Sequence, residues 1–227
     1  MKGDTMSTTA TGFAQAFVKD FAAAIKAADS KGPKWRSYRP GIGPHPEIKT
    51  IHLVMNEIKN KYSYNLQVKY PKLNYKCDLC IGHRNVWSWA IEIKLLRVCG
   101  DKGAASEHFI KYMLSPYSEH HSAITDCLRL MKTTLAKNKA FLIIAYDSCL
   151  DKMKTKHIIS LFEFIISHYY NIKYTRISKK FKNLMHPILK SGTVYMWKLQ
   201  YVSSKRRGAN RALRLYGSRR SQPAKRH

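Results

Sequence analysis

The chain has 227 residues, 44% of them hydrophobic, and carries 41 Lys and Arg against 14 Asp and Glu, a formal net charge of +27. This length and apolar fraction suit one domain with a buried core and exclude a chain that is disordered throughout. A field of this sign attracts polyanions, so nucleic acid or an anionic membrane surface is the expected partner. The longest apolar run, 140–146, is far shorter than the roughly 20 residues that span a bilayer, which favours nucleic acid over a membrane.

The five cysteines are odd in number and scattered through apolar segments, which is typical of reduced thiols and not of a disulfide framework. Together with a polar N-terminal stretch that does not resemble a signal peptide, this pattern predicts a cytoplasmic location. The cysteines are Cys77, Cys80, Cys99, Cys127 and Cys149.

Composition divides the chain into three parts. Residues 1–45 combine a helix with a basic loop rich in Gly and Pro, 46–202 form the core, and 203–227 form a basic tail. The tail holds nine Lys and Arg and no acid, so we expect it to be disordered. The rest of the chain keeps 32 basic and 14 acidic residues, a net charge of +18, so its affinity for polyanions does not depend on the tail alone.

Hydrophobic periodicity predicts helices and strands in a mixed order. Proline suits the first helical turn at Pro46, Ser122 suits an N-cap, and 100–121 has no clear period. In chain order the predicted elements are helices at 11–28 and 46–61, strands at 66–70, 75–81 and 86–96, a helix at 122–136, a strand at 139–146, a helix at 154–170 and a strand at 193–202. This order predicts an α/β fold in which helices flank a mixed central sheet.

An acid two residues before a lysine occurs four times, so the tripeptide alone has no value as a motif. In a strand, residues two apart share a face, whereas in a helix they point about 200° apart. Only the last of the four lies in a predicted strand, so only that acid and lysine can converge on one ligand. The pairs are Asp29 and Lys31, Glu47 and Lys49, Glu57 and Lys59, and Glu92 and Lys94.

Strict alternation in the strand at 86–96 sorts its side chains into two faces. One face carries the bulky residues Trp87, Trp89, Ile91, Ile93 and Leu95, which we expect in the core. The other face ends in Glu92 and Lys94 behind Val86, Ser88 and Ala90, and we expect these smaller residues to leave room for a substrate. The preceding strand adds Asp78, another acid inside an apolar run.

An acid, an interval of 13 residues and then Glu-x-Lys resemble the PD-(D/E)XK, restriction-endonuclease-like nucleases. The resemblance implies a core of the form αβββαβ in which Asp78 and Glu92 bind one or two Mg²⁺ ions, with Mn²⁺ as a substitute. The resemblance also implies that Lys94 helps to position or activate the attacking water, and that the preceding helix contributes a further glutamate to the site. We expect Glu47 in that role, as both a catalytic residue and a metal ligand, because it shares a helical stripe with core positions; Glu57 is second. Cys77 stands where the family often has proline.

The resemblance implies a Mg²⁺-dependent endonuclease acting on DNA, of a restriction or defence type, in a family where homodimers are common. For contacts to nucleic acid we expect Trp35, Arg36 and Arg39 in the loop and Lys205, Arg206 and Arg207 in the tail. Two alternatives stay open: a basic nucleic-acid-binding protein without chemistry, and a small ribosome-associated protein. Other acids, Asp126 among them, are expected as charges on helix surfaces or at strand ends.

Overall fold

The computed structural model describes residues 10–83, 86–105, 108–147 and 155–201. A 3-10 turn (Ser118–His120) and a π turn (Ile165–Tyr169) accompany the regular elements. The helices are α1 (Ala10–Ser30), α2 (Glu47–Glu57), α3 (Phe109–Leu114), α4 (Ala123–Lys132) and α5 (Thr155–Phe164). The strands are β1 (Tyr64–Lys69), β2 (Lys76–His83), β3 (Val86–Leu96), β4 (Ala136–Tyr146), β5 (Ile172–Phe181) and β6 (Gly192–Tyr201).

In the described part of the chain, the strands form one six-stranded sheet in the order β1-β2-β3-β4-β6-β5. Strands β3 and β4 are parallel, and every other neighbouring pair is antiparallel. A parallel pair needs a crossover connection, and the segment that contains α3 and α4 supplies it. The predicted α/β fold, with helices flanking a mixed central sheet, is confirmed.

Two hydrophobic clusters lie on opposite faces of this sheet. Alternate residues of β4 contribute to each: Leu142 belongs to the cluster that includes α1 and α2, and Ile143 to the cluster that includes α3, α4 and α5. Burial on both faces explains why β4 is a continuous apolar run. The N-terminal helix therefore shares a core with the sheet. The basic tail at 203–227 lies outside the described residues, and the boundaries at 45 and 203 stay predictions.

Strand β5 and helix α3 were not predicted from the sequence. Strand β5 lies at the edge of the sheet and exposes Lys173, Arg176 and Lys179, so it lacks the apolar alternation of a half-buried strand. Charged side chains on an edge strand also discourage pairing with other chains. Helix α3 has only six residues within the segment predicted to be irregular, too short for helical periodicity to show.

A β-bulge changes the predicted faces of β3. The register passes from Ile81 opposite Trp89 to Gly82 opposite Trp87, which leaves Ser88 as the extra residue. Gly82 has φ 130°, and a Cβ added there would lie 2.8 Å from the Ser88 nitrogen, so glycine is required. The expectation that Trp87 and Trp89 share a face is wrong, because Trp87 packs against the α4 cluster and Trp89 belongs to the α1 cluster.

The cysteines differ in state. Cys77, Cys80 and Cys127 are free and buried, whereas Cys99 is disulfide-bonded. The prediction of reduced thiols is therefore wrong for Cys99, and Cys149 lies outside the described residues. None of the described helices is long and apolar enough to cross a membrane.

Candidate functional site

Asp78 lies on β2 at the point where the pairing of β2 with β3 ends. The last paired residues are Leu79 and Ile91, and beyond them the Ile93 backbone N–H donates to Asp78 Oδ2 at 2.9 Å. The Gln67 side-chain amide donates to the other carboxylate oxygen at 3.0 Å. The carboxylate replaces a backbone acceptor of the sheet, which fixes its position beside β3.

Glu92 is buried, with 2% of its surface exposed. The Tyr70 hydroxyl donates to its Oε1 at 2.5 Å. Burial raises the pKa of Glu92 well above its usual value, and the neighbouring charges of Asp78 and Asp126 raise it further. A carboxyl group in this position is stabilised by holding a proton or by contact with a cation.

The surroundings of Glu92 correct one expectation. The face of β3 that carries Glu92 was predicted to lie open behind small residues. Instead Ala90 has no exposed surface and belongs to the hydrophobic cluster that includes α4. Ala90 therefore leaves room for α4 and not for a substrate, whereas Val86 and Ser88 are exposed.

Glu47 is the first residue of α2 and reaches the end of β3. Its Oε2 accepts a hydrogen bond from the Leu95 backbone N–H at 2.9 Å, and its Oε1 lies 3.3 Å from Lys94 Nζ. Burial raises the pKa of Glu47 to about 7, with Lys94 acting in the opposite direction. Glu57, at the other end of α2, pairs with Lys31 at 2.5 Å. The structure therefore brings Glu47, and not Glu57, to Lys94.

Lys94 lies between two carboxylates. Besides Glu47, it contacts Asp126 Oδ2 at 2.6 Å, and Asp126 Oδ1 accepts from Arg129 at 2.7 Å. Burial lowers the pKa of Lys94, but the charges of Glu47 and Asp126 outweigh it and raise that pKa above its usual value. Lys94 is thus a fixed cation at neutral pH.

Asp126 is the site residue that sequence reasoning misplaced. Its side chain is 5% exposed, so its interpretation as a helix-surface charge is wrong. It follows Ala123 by three residues and precedes Leu130 by four, and both of these are buried on α4. That helical spacing places Asp126 on the buried face and is the pattern that could have identified it.

A cleft of about 520 Å³ opens beside this group. Strand β3 supplies Lys94, the residue after β3 is Arg97, the loop before α2 supplies Tyr38, and α3 supplies Tyr112. Glu47 also lines the cleft, whereas Asp78 and Glu92 are not among the described residues that line it. The exposed end of the site therefore presents Glu47 and Lys94.

The predicted nucleic-acid contacts in the loop, Trp35, Arg36 and Arg39, are not among the described residues that line this cleft. Trp35 is half-buried, with its ring centroid 5.8 Å from that of His45, and Arg36 lies over Trp35 at 5.6 Å. Arg36 and Arg39 are exposed, so both are accessible to a polyanion. Lys205, Arg206 and Arg207 lie outside the described residues.

No family model, curated protein or solved structure matches this chain.

The donor chemistry of the site suits a hard divalent cation. Asp78, Glu92 and Glu47 offer carboxylate oxygens, which Mg²⁺ prefers. Burial first, and then the negative charge of Asp78, raise the pKa of Glu92, and a cation would stabilise its ionised form. As the side chains stand, no group of three or more His, Cys, Asp or Glu within the described ranges is arranged to hold a metal ion. Coordination by Glu92 and Glu47 would require the Tyr70 hydroxyl and Lys94 to release their carboxylates.

The raised pKa of Glu47 predicts how stability depends on pH. The usual pKa of this side chain is 4.5. Between pH 4.5 and about 7, the folded protein therefore holds a proton on Glu47 that the unfolded chain has released. Stability contributed by that proton is present below pH 4.5 and is lost as the pH rises to 7. Because 31% of the side chain is exposed, we expect a loss of about 1 kcal/mol.

Urea unfolding of the metal-free protein between pH 4.5 and 7.5 measures this effect. Glu47→Gln should be less sensitive to pH than the parent, because the amide resembles the protonated carboxyl, whereas Glu57→Gln should follow the parent. Parallel curves for the parent and Glu47→Gln would contradict the assignment.

Proposed function

We propose that this protein is a Mg²⁺-dependent nuclease of the PD-(D/E)XK class that hydrolyses phosphodiester bonds in DNA, with Mn²⁺ as a substitute. One observation carries the proposal: Glu47 from α2, Asp78 from β2, and Glu92 with Lys94 from β3 share one neighbourhood in a strongly basic protein. The order α2, three antiparallel strands, α4 and the parallel strand β4 supports it, because this is the order that the resemblance implies.

The residues have separate tasks in this proposal. A bound Mg²⁺ would neutralise charge on the phosphate oxygens and help to ionise a water. Asp78 and Glu92 would hold the ion, and Lys94, kept charged by Glu47 and Asp126, would place a positive charge beside the phosphate. A Glu47 pKa of about 7 also suits that carboxylate to accept a proton from water near neutral pH.

A second candidate is a nucleic-acid-binding protein without chemistry. The observation in its favour is that Glu92 is buried against Tyr70 and does not line the cleft. Against it stands the acid group itself, because carboxylates near a phosphate repel it unless a cation lies between them. A nuclease uses these carboxylates to bind a metal ion, whereas a protein that only binds nucleic acid has no use for them.

Location and assembly belong to the same proposal. A cytoplasmic location is consistent with the three free buried thiols and not with the disulfide at Cys99, so it remains a prediction. A homodimer is proposed only because dimers are common in the resembled family.

Incubation of supercoiled plasmid with the purified protein tests the function. We expect nicked and linear DNA with Mg²⁺ or Mn²⁺ and none with a chelator, and a parallel reaction with RNA tests the preference for DNA. Intact plasmid with every metal, together with tight DNA binding, would support the non-catalytic candidate.

The basic tail should contribute affinity and not chemistry. Residues 203–227 carry nine positive charges and no acid, so their removal should weaken DNA binding and reduce its dependence on salt. We expect the cleavage rate at saturating DNA to change by less than about 2-fold, since the proposed site lies within the core.

Cleavage rates against DNA concentration at two salt levels, for the full chain and for 1–202, provide the measurement. A shortened protein that folds and binds normally but has lost its saturated rate would place the tail in the active site.

A further inference from the structure

The cleft beside Lys94 is lined by a second cation, Arg97, which forms no salt bridge with a described carboxylate. Arg97 donates through Nη1 to the backbone carbonyls of Gly43 and His45, at 2.7 and 3.2 Å. A guanidinium stays charged and has five N–H donors, so Arg97 keeps donors for an anion that enters the cleft.

Aromatic side chains from separate elements line the same cleft. Tyr38 comes from the loop before α2 and is 43% exposed, Tyr112 comes from α3 and is 55% exposed, and His121 precedes α4. Tyrosines with this much exposed surface in a concave site offer flat faces for stacking. Arg97 can contact a phosphate and the aromatic rings can stack on a base, so together these side chains suit one nucleotide.

The size of the cleft limits what can enter it. At about 520 Å³ it falls in the range of sites that enclose small molecules, roughly 300–1,000 Å³. A continuous duplex keeps its base faces stacked inside and presents only the backbone and groove edges. A base face reaches such a cleft only from a single strand, a frayed end or a base flipped out of the helix.

We propose that this cleft binds one unpaired nucleotide next to the phosphodiester at Glu47 and Lys94, with Arg97 on its phosphate and Tyr38 or Tyr112 against its base. The inference rests on the proposed function, since it names the substrate class of that site: DNA with a single-stranded segment and not an uninterrupted duplex.

The structure provides a matched pair of tyrosines for the test. Tyr112 and Tyr117 are 55% and 57% exposed and each has a histidine ring nearby, but only Tyr112 lines the cleft. Binding is measured by fluorescence anisotropy in chelator, where no metal-dependent cleavage occurs. The ligands are a short single-stranded oligonucleotide and the blunt duplex of the same sequence, at near-physiological salt.

Stacking on one aromatic ring predicts that Tyr112→Leu or Tyr38→Leu weakens single-strand binding by about 5-fold or more. Duplex affinity should stay the same in these variants, and Tyr117→Leu should match the parent on both ligands. Equal losses on single strand and duplex, or no loss in either cleft variant, would overturn the inference.

The two proposals fail separately. If plasmid stays intact with every metal but single-strand binding still depends on Tyr112, the proposed nuclease activity is wrong and the proposed nucleotide site stands. If the protein cleaves DNA with metal but the Tyr38 and Tyr112 variants bind single strands as the parent does, the nuclease activity stands and the proposed nucleotide site is wrong.

Discussion

Replacement of Glu92 by glutamine, or of Asp78 by asparagine, should lower the rate of DNA cleavage at least ~100-fold under saturating DNA and Mg²⁺. Both changes preserve the shape of the side chain and remove the charge that a divalent ion needs. Lys94→Met should cause a loss of similar size, because a positive charge beside the phosphate would be missing in the transition state.

Single-turnover kinetics on a labelled oligonucleotide provide the measurement, because they exclude product release. Glu57→Gln is the matched control: it removes an acid from the same helix, but one whose partner is the exposed Lys31. Its rate should stay within about 2-fold of the parent. If Asp78→Asn cuts as fast as Glu57→Gln, Asp78 is not part of the active centre.

Asp126→Asn should destabilise the metal-free protein by about 3 kcal/mol, because it leaves a buried cation without its closest partner. Lys94 and Arg129 are 14% and 13% exposed, and Asp126 contacts both. Loss of the Asp126 charge also removes one of the three carboxylates, with Glu47 and Asp78, that raise the pKa of Lys94. We therefore expect less cleavage as well as less stability.

The control for Asp126 is Asp147→Asn. Asp147 is exposed and accepts from the Ser191 hydroxyl, so its replacement should cost less than about 1 kcal/mol. Urea unfolding at pH 7 compares the two variants. Equal, small losses in both would show that Asp126 does not hold Lys94 in the folded protein.

Much of the fold followed from local pattern. The apolar run of β4, the Ser122 cap of α4 and the limits of β3 were evident because each depends on neighbouring residues. Strand β5 was not, because it gains its place by pairing with β6 at the sheet edge, and only its two end residues, Ile172 and Phe181, are buried. Trp87 was misplaced because one bulge residue, Ser88, reverses an alternation that sequence reasoning assumes to be unbroken.

The candidate site shows a similar division. Alternation in β3 puts Glu92 and Lys94 on one face of that strand. A helical stripe on α2 puts Glu47 toward the core, and the contacts of Glu47 with Lys94 and Leu95 agree with that placement. Asp126 and Tyr70 were missed because their partners are 32 and 22 residues away in the chain, and a one-dimensional pattern does not show which helix covers which strand. The burial of Glu92 arises from the same packing.

The central claim is that this carboxylate group holds a divalent cation, and a calorimetric titration of Mn²⁺ tests it most directly. The parent and Glu57→Gln should bind one or two ions, with affinity that rises with pH as Glu47 loses its proton. Asp78→Asn and Glu92→Gln should bind at least ~10-fold more weakly while remaining folded. Absence of Mn²⁺ and Mg²⁺ binding to the parent, or equal binding by all four proteins, would contradict the account.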